Sequence, residues 1–103
     1  QMGVPGNIKD LLYTSFAEKE MNGSGREEPL IFTVDYGNAR IFHTMLGHCG
    51  ESLQNNIAMQ CTGFQVLLLR GAEWAATGKV TQKVPADFPT AEKCTYRLDY
   101  KEK

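Results

Sequence analysis

The residues best suited to chemistry stand together in one short segment, Gly47-His48-Cys49-Gly50-Glu51. The segment joins an apolar, strand-like run to a helical pattern, and turns of that kind present side chains where α/β folds bind ligands. A thiol next to a histidine could be a nucleophile activated by a base. The spacing opposes this, because a nucleophile elbow has glycine two residues after the nucleophile, where Glu51 stands, and because adjacent side chains point apart. We therefore expect Cys49 to be a loop or buried thiol.

His48 by itself is the stronger candidate for acid–base catalysis. Imidazole titrates near neutral pH, and the flanking glycines leave this side chain accessible. The alternative is a loop histidine that bonds a backbone carbonyl. His43 falls inside the strand-like run, between Phe42 and Thr44, and is expected to be a satisfied histidine of the sheet.

A charged cluster, Arg26-Glu27-Glu28, precedes Pro29 at the entrance of a predicted hairpin. The Glu-Pro step could direct a carboxylate toward the sheet end that carries His48, and carboxylates orient histidines in many sites. The catalytic candidates are therefore His48 and Glu28, and the candidates for ligand binding are His48, Glu28 and Arg26. The alternative is that these charges are solvated in a loop.

The sequence contains no pattern typical of a metal or cofactor site, and we expect neither. The three cysteines are widely spaced, with no C-x-x-C pair, and the chain has two histidines, which argues against a zinc cage. Gly23-Ser24-Gly25 lacks the following Lys-Ser or Lys-Thr of a phosphate-binding loop. An odd number of cysteines fits a reducing compartment, with buried thiols at Cys49, Cys61 and Cys94.

Five segments are predicted to position these candidates. Apolar and β-branched runs predict strands, Gly37-Asn38 predicts the turn of a hairpin, and apolar residues at steps of three and four predict one helix. Asn56 and Gly78 are expected to cap that helix at its two ends. In chain order the segments are a strand at 9–17, a loop at 18–28, a hairpin with arms at 30–34 and 40–46, the helix from 57, and a half-exposed edge strand at 94–100.

The apolar pattern also predicts how these elements are covered. Both hairpin arms are apolar at nearly consecutive positions, which is typical of strands covered on both faces. Gly63 and Gly71 suit places in the helix where another backbone comes close. The helix is expected to be buried on more than its sheet-facing side, by a partner, by the tail or by a missing part of the domain, because four further residues widen its apolar stripe: Val66, Leu67, Leu69 and Trp74.

Composition limits the class of protein. The chain has 103 residues, of which 42% are hydrophobic, and a net charge of -1, which suits one small domain over 1–103, with an N-terminal arm at 1–8 and an irregular tail at 79–103. Without a basic excess, no nucleic-acid partner is expected. The longest apolar run, 66–69, is too short to span a membrane. No secretory signal is recognised, so we expect a cytoplasmic location.

Three stretches resemble the ThuA-like (trehalose-utilisation) family. They are Gly25-Arg26-Glu27-Glu28-Pro29, the hairpin from Asp35 to His48, and the helix end Leu69-Arg70-Gly71-Ala72-Glu73-Trp74-Ala75-Ala76. The resemblance extends over most of the chain but only over the C-terminal half of such a domain. It implies a class I glutamine-amidotransferase-like, flavodoxin-like α/β fold and a link to sugar catabolism. In isolation this half would be α+β, a small mixed sheet with a central β-hairpin on one long helix.

The chain departs from the family in two ways. Ala39 replaces the second glycine of the Tyr-Gly-x-Gly-Arg turn, and the N-terminal half that would supply the first parallel strands and the nucleophile elbow is missing. His48 falls near the amidotransferase histidine, but the Phe-His-Pro-Glu pattern is absent, so no glutaminase triad is implied. The strand at 9–17 would then lack a neighbour and the helix part of its cover. We therefore expect a homo-oligomer, with a dimer favoured.

Three functions remain open from the sequence. The first is a non-catalytic, oligomeric ThuA-like half-domain with at most a binding surface for a sugar-like molecule near His48. The second is a carbohydrate-processing enzyme in which His48 acts as acid and base, Glu28 assists, and a subunit interface completes the site. The third is an interaction module that adds a strand at an exposed sheet edge.

Overall fold

A computed structural model of the chain describes residues 6–50 and 56–97. Its strands form one sheet in the order β1-β2-β3, and neighbouring strands are antiparallel. The predicted α+β fold, with a central hairpin packed on one long helix, is confirmed. The elements are β1 (Asp10–Phe16), a 3-10 helix (Lys19–Met21), β2 (Glu27–Tyr36), β3 (Ala39–Thr44), α1 (Ile57–Gln60) and α2 (Thr62–Thr77).

β2 forms the core of the sheet because it has a strand on each side. Ile31, Phe32 and Val34 are all buried. The expectation that both hairpin arms are covered on both faces is wrong for β3, where Ile41 is 43% exposed. The reason is that Ile41 is adjacent to Phe42, whose ring meets Gly71 of the long helix, so Ile41 points to the opposite face of the sheet.

The hairpin turn is fixed to the far end of α2. Gly37 adopts the left-handed region that the turn requires, with φ 57°. Arg40, at the start of β3, donates through Nε to the carbonyls of Trp74 and Ala75 at 3.2 and 3.3 Å and through Nη2 to that of Ala76 at 3.1 Å. The carbonyls of Ala75 and Ala76 belong to the last turn, where backbone acceptors lack partners within the helix, and a cation at this end also complements the helix dipole.

The predicted helix is divided at Cys61, whose backbone is extended (φ -61°, ψ 121°). Asn56 was expected as its N-cap, but its side chain makes no capping hydrogen bond. Instead Oδ1 of Asn56 accepts from the N–H of Gly50, because the preceding loop uses this oxygen as its anchor. Gly78 is the left-handed C-cap that was predicted, with φ 77° and its N–H bonded to the carbonyl of Trp74 at 2.7 Å.

α2 packs on β3 at Gly71, a helix residue without a side chain. A Cβ on Gly71 would overlap the ring of Phe42, so glycine lets the helix and the sheet approach closely. At Gly63 a Cβ would lie 3.1 Å from Cγ of Pro89, which shows that the tail packs on the first turn of α2. Both glycines therefore stand at close approaches, but the neighbouring atoms belong to side chains and not to the backbone that the sequence analysis expected.

The tail is held by a bridge instead of a regular strand. Tyr96 pairs with Cys61 in one isolated antiparallel bridge. The predicted edge strand is therefore reduced to this bridge within 94–97, because the backbone hydrogen bonds of this stretch go to the junction of the two helices. Positions 98–100 lie outside the described residues.

β1 is the uncovered strand of the sheet. All seven of its residues are exposed, including Leu11, Leu12, Tyr13 and Phe16 at 49–55%. Its pairing with β2 is irregular on either side of Tyr13, and β2 is its only partner within the described residues. The position agrees with the expectation that this strand lacks a neighbour. No helix within 6–50 and 56–97 has the length and apolar character needed to cross a membrane.

Candidate functional site

Glu28 is the one charged residue that is buried in the described part of the chain. It lies at the start of β2, opposite Ser15 of β1, and is 7% exposed. One carboxylate oxygen, Oε1, accepts from Nε of Arg26 at 2.7 Å. The other, Oε2, is buried and has no hydrogen-bond partner among the described residues. A buried acceptor in this state is costly, so it would gain from a donor that reached it.

The loop before β2 places Arg26 beside this carboxylate. The loop is closed by two backbone hydrogen bonds, from Ala17 N–H to the carbonyl of Arg26 at 3.0 Å and from Gly25 N–H to that of Ala17 at 2.7 Å. The hydroxyl of Ser24 and the guanidinium of Arg26 hold the pKa of the Glu28 carboxyl below its usual value. Glu28 is therefore a carboxylate at neutral pH, with Oε1 bonded to Arg26 and Oε2 buried without a hydrogen-bond partner among the described residues.

His48 is exposed and lies in the irregular segment that follows β3. The chain is fixed on both sides of it. Gly47 has φ 101°, and a Cβ there would lie 2.6 Å from Cζ of Phe64 in α2. Gly50 donates its N–H to the buried Asn56. The imidazole is thus displayed at the surface from an anchored loop.

Glu28 and His48 lie toward the same end of the sheet. The N–H of Met45 donates to the carbonyl of Leu30 at 3.0 Å, which extends the pairing of β2 and β3 beyond Thr44 toward Glu28. The two side chains share no hydrogen bond or ion pair in the part that the structure describes. The pair that is in contact is Arg26 and Glu28. The roles suggested for His48, Glu28 and Arg26 stay predictions.

His43 is held by stacking. Its ring lies on that of Phe32, with centroids 4.4 Å apart and an interplanar angle of 22°. Nε2 is buried and has no hydrogen-bond partner among residues 6–50 and 56–97. The expectation that the hydrogen-bonding groups of His43 are all satisfied is therefore wrong. Its neighbour on the adjacent strand is Phe32, whose ring stacks on the imidazole and cannot accept a hydrogen bond from Nε2 or donate one to it.

The cysteines are free and mostly accessible. The Cys49 thiol donates to the carbonyl of Gly47 at 3.6 Å and lies in the loop, which is one of the two positions expected for it. Cys49 and Cys94 are exposed, and Cys61 is half-buried. The expectation of buried thiols is thus wrong, because these residues stand in irregular segments at the surface. Within the described ranges no three His, Cys, Asp or Glu side chains could hold a metal ion together.

A polar cluster around Glu73 was missed by sequence reasoning. The carboxylate accepts from the N–H of Thr81 at 2.8 Å, the N–H of Gln82 at 3.3 Å and Nε2 of Gln82 at 3.2 Å. Hydrogen bonds from the hydroxyl and N–H of Thr81, with those from Gln82, lower the pKa of Glu73 to about 2. No signal could have found it, because both partners belong to a segment without periodicity.

Comparison with known proteins gives one informative match. A crystal structure assigned to a ThuA-like protein from Parabacteroides merdae ATCC 43184 shares 79% sequence identity and a TM-score of 0.87 with this chain. The match covers 96% of this chain and 36% of that chain, so the chain spans about a third of the relative's length. No family model and no curated protein matches the chain.

The fold and the site define a small α+β unit whose first strand is uncovered and whose buried carboxylate stands at one sheet end. In the relative, the matched region is part of a longer chain. Over 96% of its length this chain matches that part of a ThuA-like protein, as its sequence motifs suggested, and it corresponds to a partial ThuA-like domain.

Proposed function

We propose that this chain is a non-catalytic ThuA-like half-domain that self-associates and binds a sugar-like small molecule at the sheet end that carries Glu28, Arg26 and His48. The observation that carries the ligand proposal is the state of Glu28. Its carboxylate is buried, is ionised at neutral pH and has one oxygen without a partner among the described residues.

The chemistry of this sheet end suits a polyhydroxylated ligand. A sugar hydroxyl can donate to Oε2 of Glu28 and at the same time accept from another donor. The Arg26 side chain is 55% exposed and bonds Glu28 through Nε, which leaves its terminal nitrogens toward solvent. His48 is exposed at the same end and can donate or accept. The choice of a sugar class comes from the family's link to sugar catabolism.

The absence of a catalytic role is supported by how the groups are held. General acid–base catalysis needs side chains fixed within hydrogen-bond reach of the reacting atoms. Glu28 is fixed by Arg26, while His48 stands exposed and makes no contact with Glu28 within the described residues. The alternative of a carbohydrate-processing enzyme needs a second copy to complete the site. This enzyme alternative predicts that the chain hydrolyses glycosides only at concentrations at which it self-associates. The substitution His48→Gln should then abolish the hydrolysis.

A titration with glucose disaccharides, trehalose among them, followed by NMR, tests the ligand proposal. We expect chemical-shift changes at Glu28, Arg26 and His48. Glu28→Gln should weaken binding by about tenfold or more, because a hydrogen bond to a charged group contributes about 1.5–3 kcal/mol. Glu27→Gln changes an exposed neighbour in the same way and should leave the affinity unchanged. Equal affinity of the two variants, or no shift changes at this sheet end, would contradict the proposal.

Self-association is supported by the solvent side of α2. Leu68 and Leu69 are 41% and 54% exposed on adjacent positions of this helix. Large apolar side chains exposed next to each other can mark a surface that another polypeptide covers. We infer that a second copy covers it, which makes this chain a homo-oligomer.

The exposed edge of β1 favours a second candidate function, in which the chain adds a strand to a partner's sheet. All of β1 is exposed and its outer edge has no strand beside it within the described residues. The irregular pairing around Tyr13 shortens the regular edge that such a partner could use. Hydrogen exchange tests it: β1 amides that become protected only when a partner is added would support strand addition.

A further inference from the structure

Two adjoining cavities separate α2 from the β1 side of the sheet. Their volumes are about 450 and 500 Å³. Tyr13 and Leu67 line both of them, so the two cavities meet at these side chains and together outline one cleft. We call it the β1–α2 cleft, and its main apolar lining consists of Leu12, Tyr13, Phe42, Phe64, Leu67 and Trp74.

The cleft exists because one helix is too narrow for this sheet. α2 packs on β3, where Gly71 meets Phe42. β1 lies two strand spacings away, roughly 10 Å, which is about the diameter of a helix. The β1 side is therefore left open, and Leu12 and Tyr13 remain 49% exposed. A second helix beside α2 would fit this width.

The two charged side chains of the cleft, Asp10 and Arg70, each make a hydrogen bond. Asp10 accepts from the hydroxyl of Thr33 at 2.8 Å, and Arg70 donates to the carbonyl of Gln82. Both side chains are thus engaged in hydrogen bonds with neutral groups, and the other residues named in the lining are apolar or aromatic. The cleft is thus complementary to an apolar face, such as the buried stripe of an amphipathic helix.

The comparison with the relative indicates where a helix that fills the cleft would come from. The relative has the same fold over the matched region, with a TM-score of 0.87, and nearly two thirds of its chain has no counterpart here, since the match covers 36% of it. Where that remainder packs against the matched region, apolar surface left open is where such packing gains most. We propose that the β1–α2 cleft is the docking surface for an apolar helix from the rest of a ThuA-like chain.

A hybrid protein tests this proposal, with this chain replacing the matched segment of the P. merdae protein. Leu12→Ser should lower the Tm of the hybrid by at least about 5 °C, because the side chain would be buried there. In the isolated chain, where Leu12 is half exposed, the same change should shift the Tm by less than about 2 °C. Met21→Ser, at a residue that is 79% exposed, is the matched control and should be neutral in both proteins.

Oxidative footprinting of Tyr13 gives a second measurement that needs no variant. We expect labelling of Tyr13 to fall several-fold in the hybrid relative to the isolated chain. Equal labelling in a folded hybrid, or equal Tm shifts for Leu12→Ser in both proteins, would overturn the proposal. Protection of Tyr13 that rises with concentration in the isolated chain would also overturn it, since a second copy would then be the occupant. Self-association through Leu68 and Leu69 is independent of these outcomes.

Discussion

At the scale of single residues, Arg40 joins two elements that are distant in sequence. One guanidinium contacts three carbonyls at the end of α2. The same α2 terminus is closed by Gly78. The hairpin turn and the helix end therefore form one unit, and the stability of each depends on the other.

Substitution of Arg40 should expose this dependence. Arg40→Met keeps most of the side-chain stem and removes the charge and the donors, so we expect a loss of about 0.5–1 kcal/mol in the free energy of unfolding. Arg40→Lys keeps the charge but lacks the planar guanidinium. Its free energy of unfolding should therefore lie between those of the parent chain and Arg40→Met. Urea denaturation measures both changes. If both variants unfold like the parent chain, the three hydrogen bonds contribute nothing.

The Glu73 carboxylate predicts a pH dependence of stability. Its pKa in the folded chain is about 2, below the ordinary value of 4.5. A depressed pKa contributes stability that is fully present above the unfolded value and is lost as the pH falls toward the folded one. The Tm difference between the parent and Glu73→Gln should therefore be constant above pH 4.5 and shrink toward pH 2. Glu20→Gln, at an exposed position of the 3-10 helix, serves as the control, and a difference that persists at low pH would contradict the assignment.

The sequence predicts some of these residue roles and not others. Gly37 and Gly78 could be predicted because a left-handed backbone is a local requirement that glycine meets best. Asn56 and Glu73 could not be placed correctly, because each bonds a segment that only the fold brings near. The position of Glu28 at the strand entrance was foreseen from the Glu-Pro step. Its burial was not, since this depends on neighbouring strands.

At the scale of elements, the packing of α2 on β3 depends on one missing side chain. Gly71→Ala would raise intrinsic helix propensity by about 1 kcal/mol, but the added Cβ would overlap the Phe42 ring. Overpacking typically costs about 1–3 kcal/mol, so we expect net destabilisation in urea denaturation. In Phe42→Leu the smaller side chain should reduce the cost of Gly71→Ala. Additive effects of the two substitutions would show that this contact does not limit the approach.

The elements themselves were well predicted, while their surroundings were not. Apolar runs and a two-residue turn located the strands, because these signals are local. The break at Cys61 was missed, since the apolar periodicity continues across it while the backbone becomes extended to pair with Tyr96. The exposure of β1 could be inferred only from the resemblance to a larger family, because a strand's sequence does not show whether another element covers it.

At the scale of the whole molecule, the chain presents apolar surface in more than one direction. The β1–α2 cleft opens beside one outer strand, and Leu68 and Leu69 stand on the helix. A unit that spans about a third of its relative fits this distribution. We attribute the cleft to the rest of a ThuA-like chain and the helix surface to a second copy.

The mass of the chain in solution, measured by light scattering over a dilution series, tests the self-association most directly. We predict a dimer at high micromolar concentration that dissociates on dilution, and a monomer throughout for the double variant Leu68→Glu, Leu69→Glu. Val84→Glu changes a side chain in the tail that is 55% exposed and should leave the dimer intact. A folded parent chain that stays monomeric at high micromolar concentration would contradict the account.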